Sequence, residues 1–306
     1  MTRDFLNTNF GIEIEFTGIS RDMAADVLKA CLPMSSKKHV GGLYDKYCVE
    51  DNQHRKWQIM RDGSLLTERK TRTSIVGASD DYSCEFVSPI LNYDKDMETL
   101  QNIVRALRQA GGFANTSCGI HVHLDGAGHD VYSLKNFINL ITSRGDLLYD
   151  ALQVDSHRRD YCKKIDSKLV KRIKTRKPKT LAELEDIWYE GYMRRTYHYN
   201  ASRYHILNLH SFFNGVGTVE LRCFNSELHA GKVRAYVVLA LAMNYQAMTS
   251  KSIRATASLQ QSENPKFAMR TWLNRIGFIG DEFKNCRKHL TEHLAGCAAW
   301  RFGNAA

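Results

Sequence analysis

Apolar and ionisable residues alternate in several short stretches of this chain. In 11–16, Ile12, Ile14 and Phe16 interleave with Glu13 and Glu15. In 118–124, Ile120, Val122 and Leu124 interleave with His121 and His123, and in 217–224, Val219, Leu221 and Cys223 interleave with Thr218, Glu220 and Arg222. Successive side chains of a strand point to opposite faces, so this period predicts strands with one apolar and one ionisable face. Strands are expected over 9–17, 57–60, 82–91 (carrying Glu85), 118–124, 204–213 and 217–224, the last two joined by Asn214-Gly215, a hairpin-turn signal.

Helical spacing fills the intervals. Asp94 is placed to cap a helix with Leu100, Ile103, Val104 and Leu107 on one face, ending at Gly111-Gly112. Ser133 opens a second, with Leu134, Phe137, Ile138 and Ile141. Thr180 and Glu183 make a capping box for a third, with Leu184, Ile187 and Trp188. A long helix carries Val233, Tyr236, Val237, Ala240, Leu241, Tyr245 and Met248. After a polar linker over 250–264, Pro265 sits where a first helical residue belongs, and two short helices flank 277–280. Strands and helices cluster without regular β-α alternation. The fold class this predicts is α+β: a curved antiparallel β-sheet with a charged concave face, packed on helices.

With 306 residues, 43% hydrophobic and 25% charged, the chain can bury a large core. The first residues lack an apolar signal region and no apolar run reaches membrane-spanning length, which leads to the expectation of a cytoplasmic protein with no membrane partner. None of the eight cysteines pair as Cys-x-x-Cys, so reduced, mostly buried thiols are expected.

The net charge of +10 is concentrated. Residues 158–179 hold eleven Lys and Arg against Asp160 and Asp166, so this segment carries +9 and the rest about +1. A solvated basic helix or loop explains this most simply; an electrostatic funnel for a polyanion is the functional alternative.

Two carboxylates side by side on one strand face either raise one pKa or call for a cation, and oxygen ligands suit Mg2+ or Mn2+. A solvated acidic face would account for Glu13 and Glu15 alone. Repetition of the device with Glu85, His121, His123 and Glu220 favours metal ligation, and Arg203 and Arg222 add the cations that phosphoryl oxygens need. Together these are equipment for chemistry on a nucleoside triphosphate, although neither a Walker loop nor a Rossmann fingerprint is present.

Six motifs in order, Gly11-Ile-Glu-Ile-Glu-Phe16, Asp62-Gly-Ser64, Glu85-Phe-Val-Ser-Pro-Ile-Leu91, Cys118-Gly-Ile-His-Val-His-Leu124, Arg203-Tyr-His-Ile-Leu-Asn208 and Gly217-Thr-Val-Glu-Leu-Arg222, resemble those of the amidoligase family, over about residues 9–248. That family belongs to the carboxylate-amine ligases with the glutamine synthetase and glutamate-cysteine ligase fold. The resemblance implies an ATP-dependent ligase that joins a carboxylate to an amine (an amino acid, polyamine or peptide) through an acyl phosphate. It implies that Glu13, Glu15, Glu85, Glu220 and His121 or His123 share two or three Mg2+ ions, with Mn2+ the other fitting ion. Arg222 and Arg203 would neutralise the transferring phosphate, with Glu220 and Asp62 beside them in the catalytic set. Asp62 or Ser64 would position nucleotide or amine, and Asn208 would join Ser64, Arg203 and Arg222 around the nucleotide. Residues 1–250 would form the catalytic domain with a basic helical insertion at about 156–196, and 251–306 a C-terminal helical extension.

Three readings compete. Glutamates and histidines on a sheet also suit a metal-dependent hydrolase without ATP. His289-Leu-Thr-Glu-His293 matches the inverted zincin pattern of a peptidase, but 294–306 holds no Glu, Asp or His as a third ligand. The basic segment could instead serve nucleic-acid binding.

Overall fold

The computed structural model describes residues 3–258 and 260–301. Ten strands run as β1 Phe10–Phe16, β2 Ser36–Gly41, β3 Lys46–Glu50, β4 Lys56–Met60, β5 Glu68–Lys70, β6 Ile75–Gly77, β7 Cys84–Val87, β8 Gly119–Asp125, β9 Leu207–Asn208 and β10 Thr218–Asn225. The helices are α1 Arg21–Cys31, α2 Tyr93–Gln109, α3 Val131–Leu152, α4 Ser167–Arg176, α5 Leu181–Trp188, α6 His210–Asn214, α7 Ala230–Thr249, α8 Gln260–Glu263, α9 Pro265–Arg275 and α10 Lys284–Thr291. Eight strands form one sheet in the order β2-β3-β4-β7-β1-β8-β10-β9, with every neighbouring pair antiparallel; β5 and β6 form a separate hairpin.

The apolar faces of β1, β8 and β10 build the core. Ile12, Ile14, Phe16, Ile120, Val122, Leu124, Val219 and Leu221 are all buried. Full burial of one such side chain is worth about 1.5–3 kcal/mol, so this face fixes the register and therefore decides which residues point the other way. Helix α7 packs against β8, α3 against β10, and α1 against β3 and β4. Residues 235–244 of α7 are buried without a break, because α2 and α3 flank it and α10 also packs on it. Met269, Trp272, Leu273, Phe278, Phe283 and Leu290, from the C-terminal segment, join the same apolar core. Among the described residues no helix is long and apolar enough to cross a membrane.

The expected elements appear with local corrections. Asn92, not Asp94, caps α2, accepting from the Asp94 amide. Helix α3 starts two residues before Ser133, which instead completes a capping box with Asp130. The strand expected over 82–91 stops at Val87, before Pro89, which has no N–H for the ladder; Leu91 resumes pairing with Phe10.

The larger correction lies at 204–213. Only Leu207 and Asn208 are strand, and Asn214-Gly215 closes the short helix α6 rather than a hairpin turn. The cause is local: the Asn208 side chain accepts a hydrogen bond from the His210 amide at 2.8 Å, which turns the chain out of the sheet. Helix α1 and strands β2, β3, β5 and β6 were not expected. Strand β2 is Ser-Lys-Lys-His-Val-Gly, an exposed sheet edge whose charges oppose edge-to-edge pairing and carry no alternation.

Candidate active site

The register places the ionisable faces in one band. Glu13 stands opposite His121, Glu15 opposite Glu85, and Glu220 opposite both His123 and Asn208. Met60 pairs with Glu85, so the loop after β4 delivers Asp62 to the same end. Above the band is a cavity of about 640 Å3, lined by Glu13, Glu85, His121, His123, Glu220 and Arg222, with Asp62, Ser64, Arg203 and Asn208 at its sides. A second cavity of about 310 Å3 reaches Glu15 together with Asp62, Arg158, Arg203 and Arg222. All of the sequence-predicted site residues therefore converge.

Direct contacts knit the band together. His121 Nδ1 lies 2.9 Å from Glu13 Oε2, and His123 Nε2 lies 3.2 Å from Glu13 Oε1. His121 Nε2 is 3.7 Å from Glu15 Oε1. Arg222 donates to Glu220 Oε1, and the Asn208 amide donates to Glu220 Oε2. Ser64 donates to Asp62 Oδ1 through both its backbone N–H and its hydroxyl at 2.7 Å, which fixes the Asp62 carboxylate. Arg203 donates to the His198 carbonyl at 3.2 Å and lies over the rings of Tyr199 and Tyr204.

Burial splits the acidities. It raises Glu15 to about 7, with the Asp62 charge adding to it, and it drives Glu85 well above the usual range, with Glu13 and Glu15 adding to it. Burial also opposes the charge on Glu13, but His123 and His121 outweigh it and hold Glu13 well below the usual range. Glu220 falls to about 2, because Arg222 and the histidines overcome the same burial. Burial and Arg222 push His121 down to about 4, whereas Glu13 and Glu220 raise His123 to about 9 against burial. Neighbouring groups of one type thus sit in opposite protonation states, a signature of a site built for charge.

Three sets of ligand atoms lie within 4.8 Å of one another: Glu13, His123 and Glu220; Glu13, Glu85 and His121; Glu15, Asp62 and Glu85. Carboxylate oxygens dominate, which fits hard divalent cations such as Mg2+ and Mn2+, and the elevated Glu15 and Glu85 are the groups a bound cation would ionise.

Some participants were not anticipated. Arg158, counted above as part of a solvated basic segment, is 3% exposed and lines the smaller cavity. A register shift between Leu221 and Phe224 interrupts the β8–β10 ladder, and Arg158 donates to the Phe224 carbonyl at 2.6 Å and the Arg222 carbonyl at 3.1 Å. Gly119 makes room for it, since a Cβ there would lie 2.1 Å from the guanidinium. Tyr44, Tyr161 and Tyr199 also reach the cavities. A lone Arg in a basic run and tyrosines in irregular loops carry no periodic signal. Elsewhere in the basic segment, Lys164 pairs with Asp146, and Arg172 and Arg176 with Glu190, so part of the expected funnel is neutralised.

In the C-terminal segment, α10 ends at Thr291, so His289 lies on the helix and His293 beyond it. Glu292 lies 3.7 Å from His289 and 3.5 Å from His293, and no third ligand gathers there among the described residues.

An all-antiparallel sheet with a buried carboxylate-histidine-arginine band under a cavity defines a class of site suited to cations and anionic substrates. The chain belongs to the amidoligase family: the family model described as "Putative amidoligase enzyme" matches residues 6–244. No curated protein sequence matches. Among solved structures, a bifunctional glutathione synthetase from Pasteurella multocida is similar with a TM-score of 0.44 and 11% identity, over 94% of this chain and 47% of that one. The chain thus spans about half the length of that relative.

Proposed function

We propose that the protein is an ATP-dependent carboxylate-amine ligase with a glutamine synthetase-type catalytic sheet, forming an amide through an acyl phosphate. The observation that carries this reading is the band itself: three overlapping groups of carboxylate and imidazole ligands beside Arg222 and Arg203. Family membership supports amide-forming chemistry.

In this reading Glu13, Glu15, Glu85, Glu220, Asp62 and the two histidines would hold Mg2+ or Mn2+. When bound, such ions offset charge on the triphosphate and polarise the phosphoryl oxygens. Arg222 is buried and kept in place by Glu220, so its guanidinium is oriented toward the cavity before substrate arrives. Arg203, stacked on Tyr199 and Tyr204, supplies a second cation to the same cavity. The substrate carboxylate attacks the terminal phosphorus of ATP, breaking the bond to the bridging oxygen and releasing ADP. The amine then attacks the acyl carbon, its proton passes to a base, and inorganic phosphate leaves. The acyl phosphate has to be kept from water, and the burial of Glu15, His121, Glu220 and Arg222 serves that need.

The test is a screen of ADP formation with Mg2+ or Mn2+ over pairs of amino acids, polyamines and acidic peptides, with mass spectrometry of the products. Amide formation coupled to ADP release, lost in Glu13→Gln and Glu220→Gln, is the expected result. Amide cleavage without nucleotide would replace this reading with the hydrolase.

A further inference from the structure

A third cavity, of about 360 Å3, lies within the basic segment, walled by α4, α5 and the chain just before β9. Leu169, Trp188 and His205 make a buried floor, and Tyr192 is half-buried beside them. The rings meet edge to face: Trp188 and His205 centroids are 6.1 Å apart, and Tyr192 and His205 are 6.3 Å apart. Burial lowers the His205 pKa, and its Nδ1 donates to the Ser202 carbonyl, so the ring is a neutral wall.

The polar groups around this floor are incompletely used. Trp188 is 3% exposed and its indole N–H has no acceptor; Arg172 Nε makes no hydrogen bond either, with Glu190 Oε2 3.8 Å away. A buried donor without an acceptor has lost its hydrogen bond to water, and a ligand oxygen would restore one. At the rim, the Asp166 carboxylate accepts the Lys168 backbone N–H, and among the described residues neither that carboxylate nor the Lys168 ammonium has an ion-pair partner within 4.0 Å. Glu190, by contrast, is engaged by Arg172 and Arg176. An aromatic floor, unfilled N–H donors, an unpaired carboxylate and an unpaired ammonium complement a zwitterion with an apolar side chain.

We propose that this cavity is a binding site for an α-amino acid with an apolar or aromatic side chain. Its carboxylate meets Arg172, the Trp188 N–H and Lys168, its ammonium meets Asp166, and its side chain packs against Leu169, Tyr192 and His205. The site does not depend on the ligase reading, yet one chain segment runs from it to the main cavity. His205 lines it, while Arg203, two residues earlier on the same segment, lines the larger cavity, and a backbone bridge from Lys163 to His205 fastens the segment.

The experiment is calorimetric and tryptophan-fluorescence titration of the full chain, without nucleotide or metal, using L-phenylalanine, L-leucine, L-phenylalaninamide and 3-phenylpropionate. Saturable binding of the two amino acids is expected, with the amide and the des-amino acid weaker by about tenfold or more, the scale of one lost charge-assisted contact. Arg172→Gln should weaken both amino acids, and Asp166→Asn, which keeps a helix-capping side chain, should erase the preference for phenylalanine over 3-phenylpropionate. Thermal melts confirm that each variant is folded, and exposed Lys168→Gln replaces Arg172→Gln if that one is not. No saturable binding up to about 10 mM, or binding unchanged in either folded variant, overturns the proposal. Either result leaves the ligase reading standing, because the ADP screen is separate.

Discussion

Glu15 on β1 and Glu85 on β7 face each other directly in the sheet register, and Asp62 brings a third carboxylate oxygen within 4.8 Å of both. Three acids at one point, with Glu15 raised to about 7 and Glu85 raised well above the usual carboxylate range, are an arrangement that costs stability unless protons or cations are bound.

The pH dependence follows from the sign of each shift. A carboxyl raised in the folded state binds protons more tightly there, so stability falls as pH rises from its unfolded value near 4.5 to about 7. His123, raised to about 9, contributes stability that is complete below 6.5 and is lost as pH passes through 9. His121, lowered to about 4, acts only below 6.5, where stability falls as pH falls, and Glu220, at about 2, acts lower still. Between pH 6.5 and 9 the site therefore has one sign. The metal-free melting temperature should drop by a few degrees or more across this window, and added Mn2+ should restore more at pH 8.5 than at pH 6.5. A flat melting temperature from pH 6.5 to 9 would contradict the assignment.

Glu13 is shared by two of the three ligand groups and is the leading source of His123's elevated pKa once burial is set aside. Glu13→Gln should lower His123 toward 6.5, read by NMR titration of its ring protons. It should also weaken Mn2+ binding by at least about 100-fold, the upper range for losing even a residue that supports a ligand. If His123 still titrates near 9 in the variant, Glu13 is not the group that holds it.

How much of this could be read from the chain depends on periodicity. Ile12, Ile14 and Phe16 had to be buried, so Glu13 and Glu15 had to share the other face, and the same logic placed His121, His123, Glu220 and Arg222. Register between strands was not legible, because nothing local says that Glu13 meets His121. The hairpin expected at Asn214-Gly215 failed because one side chain, Asn208, supplies a competing hydrogen bond to the backbone. Arg158 was hidden for the opposite reason: its role depends on an irregularity in a strand more than 60 residues away.

That buried guanidinium yields the third prediction. Arg158→Met would leave the Phe224 and Arg222 carbonyls without its donors, at about 1–3 kcal/mol for an unsatisfied buried group. Gly119→Ala should displace the same side chain sterically and destabilise by a similar amount. Because the Arg158 charge also draws Glu15 downward, both variants should raise the pH at which Glu15 ionises. Urea denaturation measures the first effect, and the pH dependence of Mn2+ binding the second. The double variant should lose little more than either single one, since both remove one interaction; full additivity would show that Gly119 serves something else.

The last prediction concerns the mouth of the larger cavity. Tyr44, in the turn between β2 and β3, and Tyr199, in the loop after α5, both line it, and their hydroxyls are 2.6 Å apart although 155 residues separate them. Tyr44 is anchored at its base, because the adjacent Asp45 carboxylate accepts from Arg21 at 2.6 and 3.0 Å. Tyr199 sits on a loop that leaves α5 through Gly191 at φ +92° and is tied within itself by the Asn200 side chain, which donates to the Met193 and Arg194 carbonyls. Breaking the link should therefore release the Tyr199 side. Tyr44→Phe removes one hydroxyl and one exposed hydrogen bond, worth about 0.5–1.5 kcal/mol at most, so the melting temperature should barely move. Amide hydrogen exchange over 190–200 should accelerate severalfold, while the Tyr44 turn stays protected by Arg21. Under the ligase reading the variant should raise KM for the substrate that enters past Tyr199 and leave kcat little changed, because no group that touches the band is altered. Unchanged exchange over 190–200 would mean that the loop is held without the Tyr44 link, by the Asn200 hydrogen bonds to the Met193 and Arg194 carbonyls and by the Arg195–Asp186 pair.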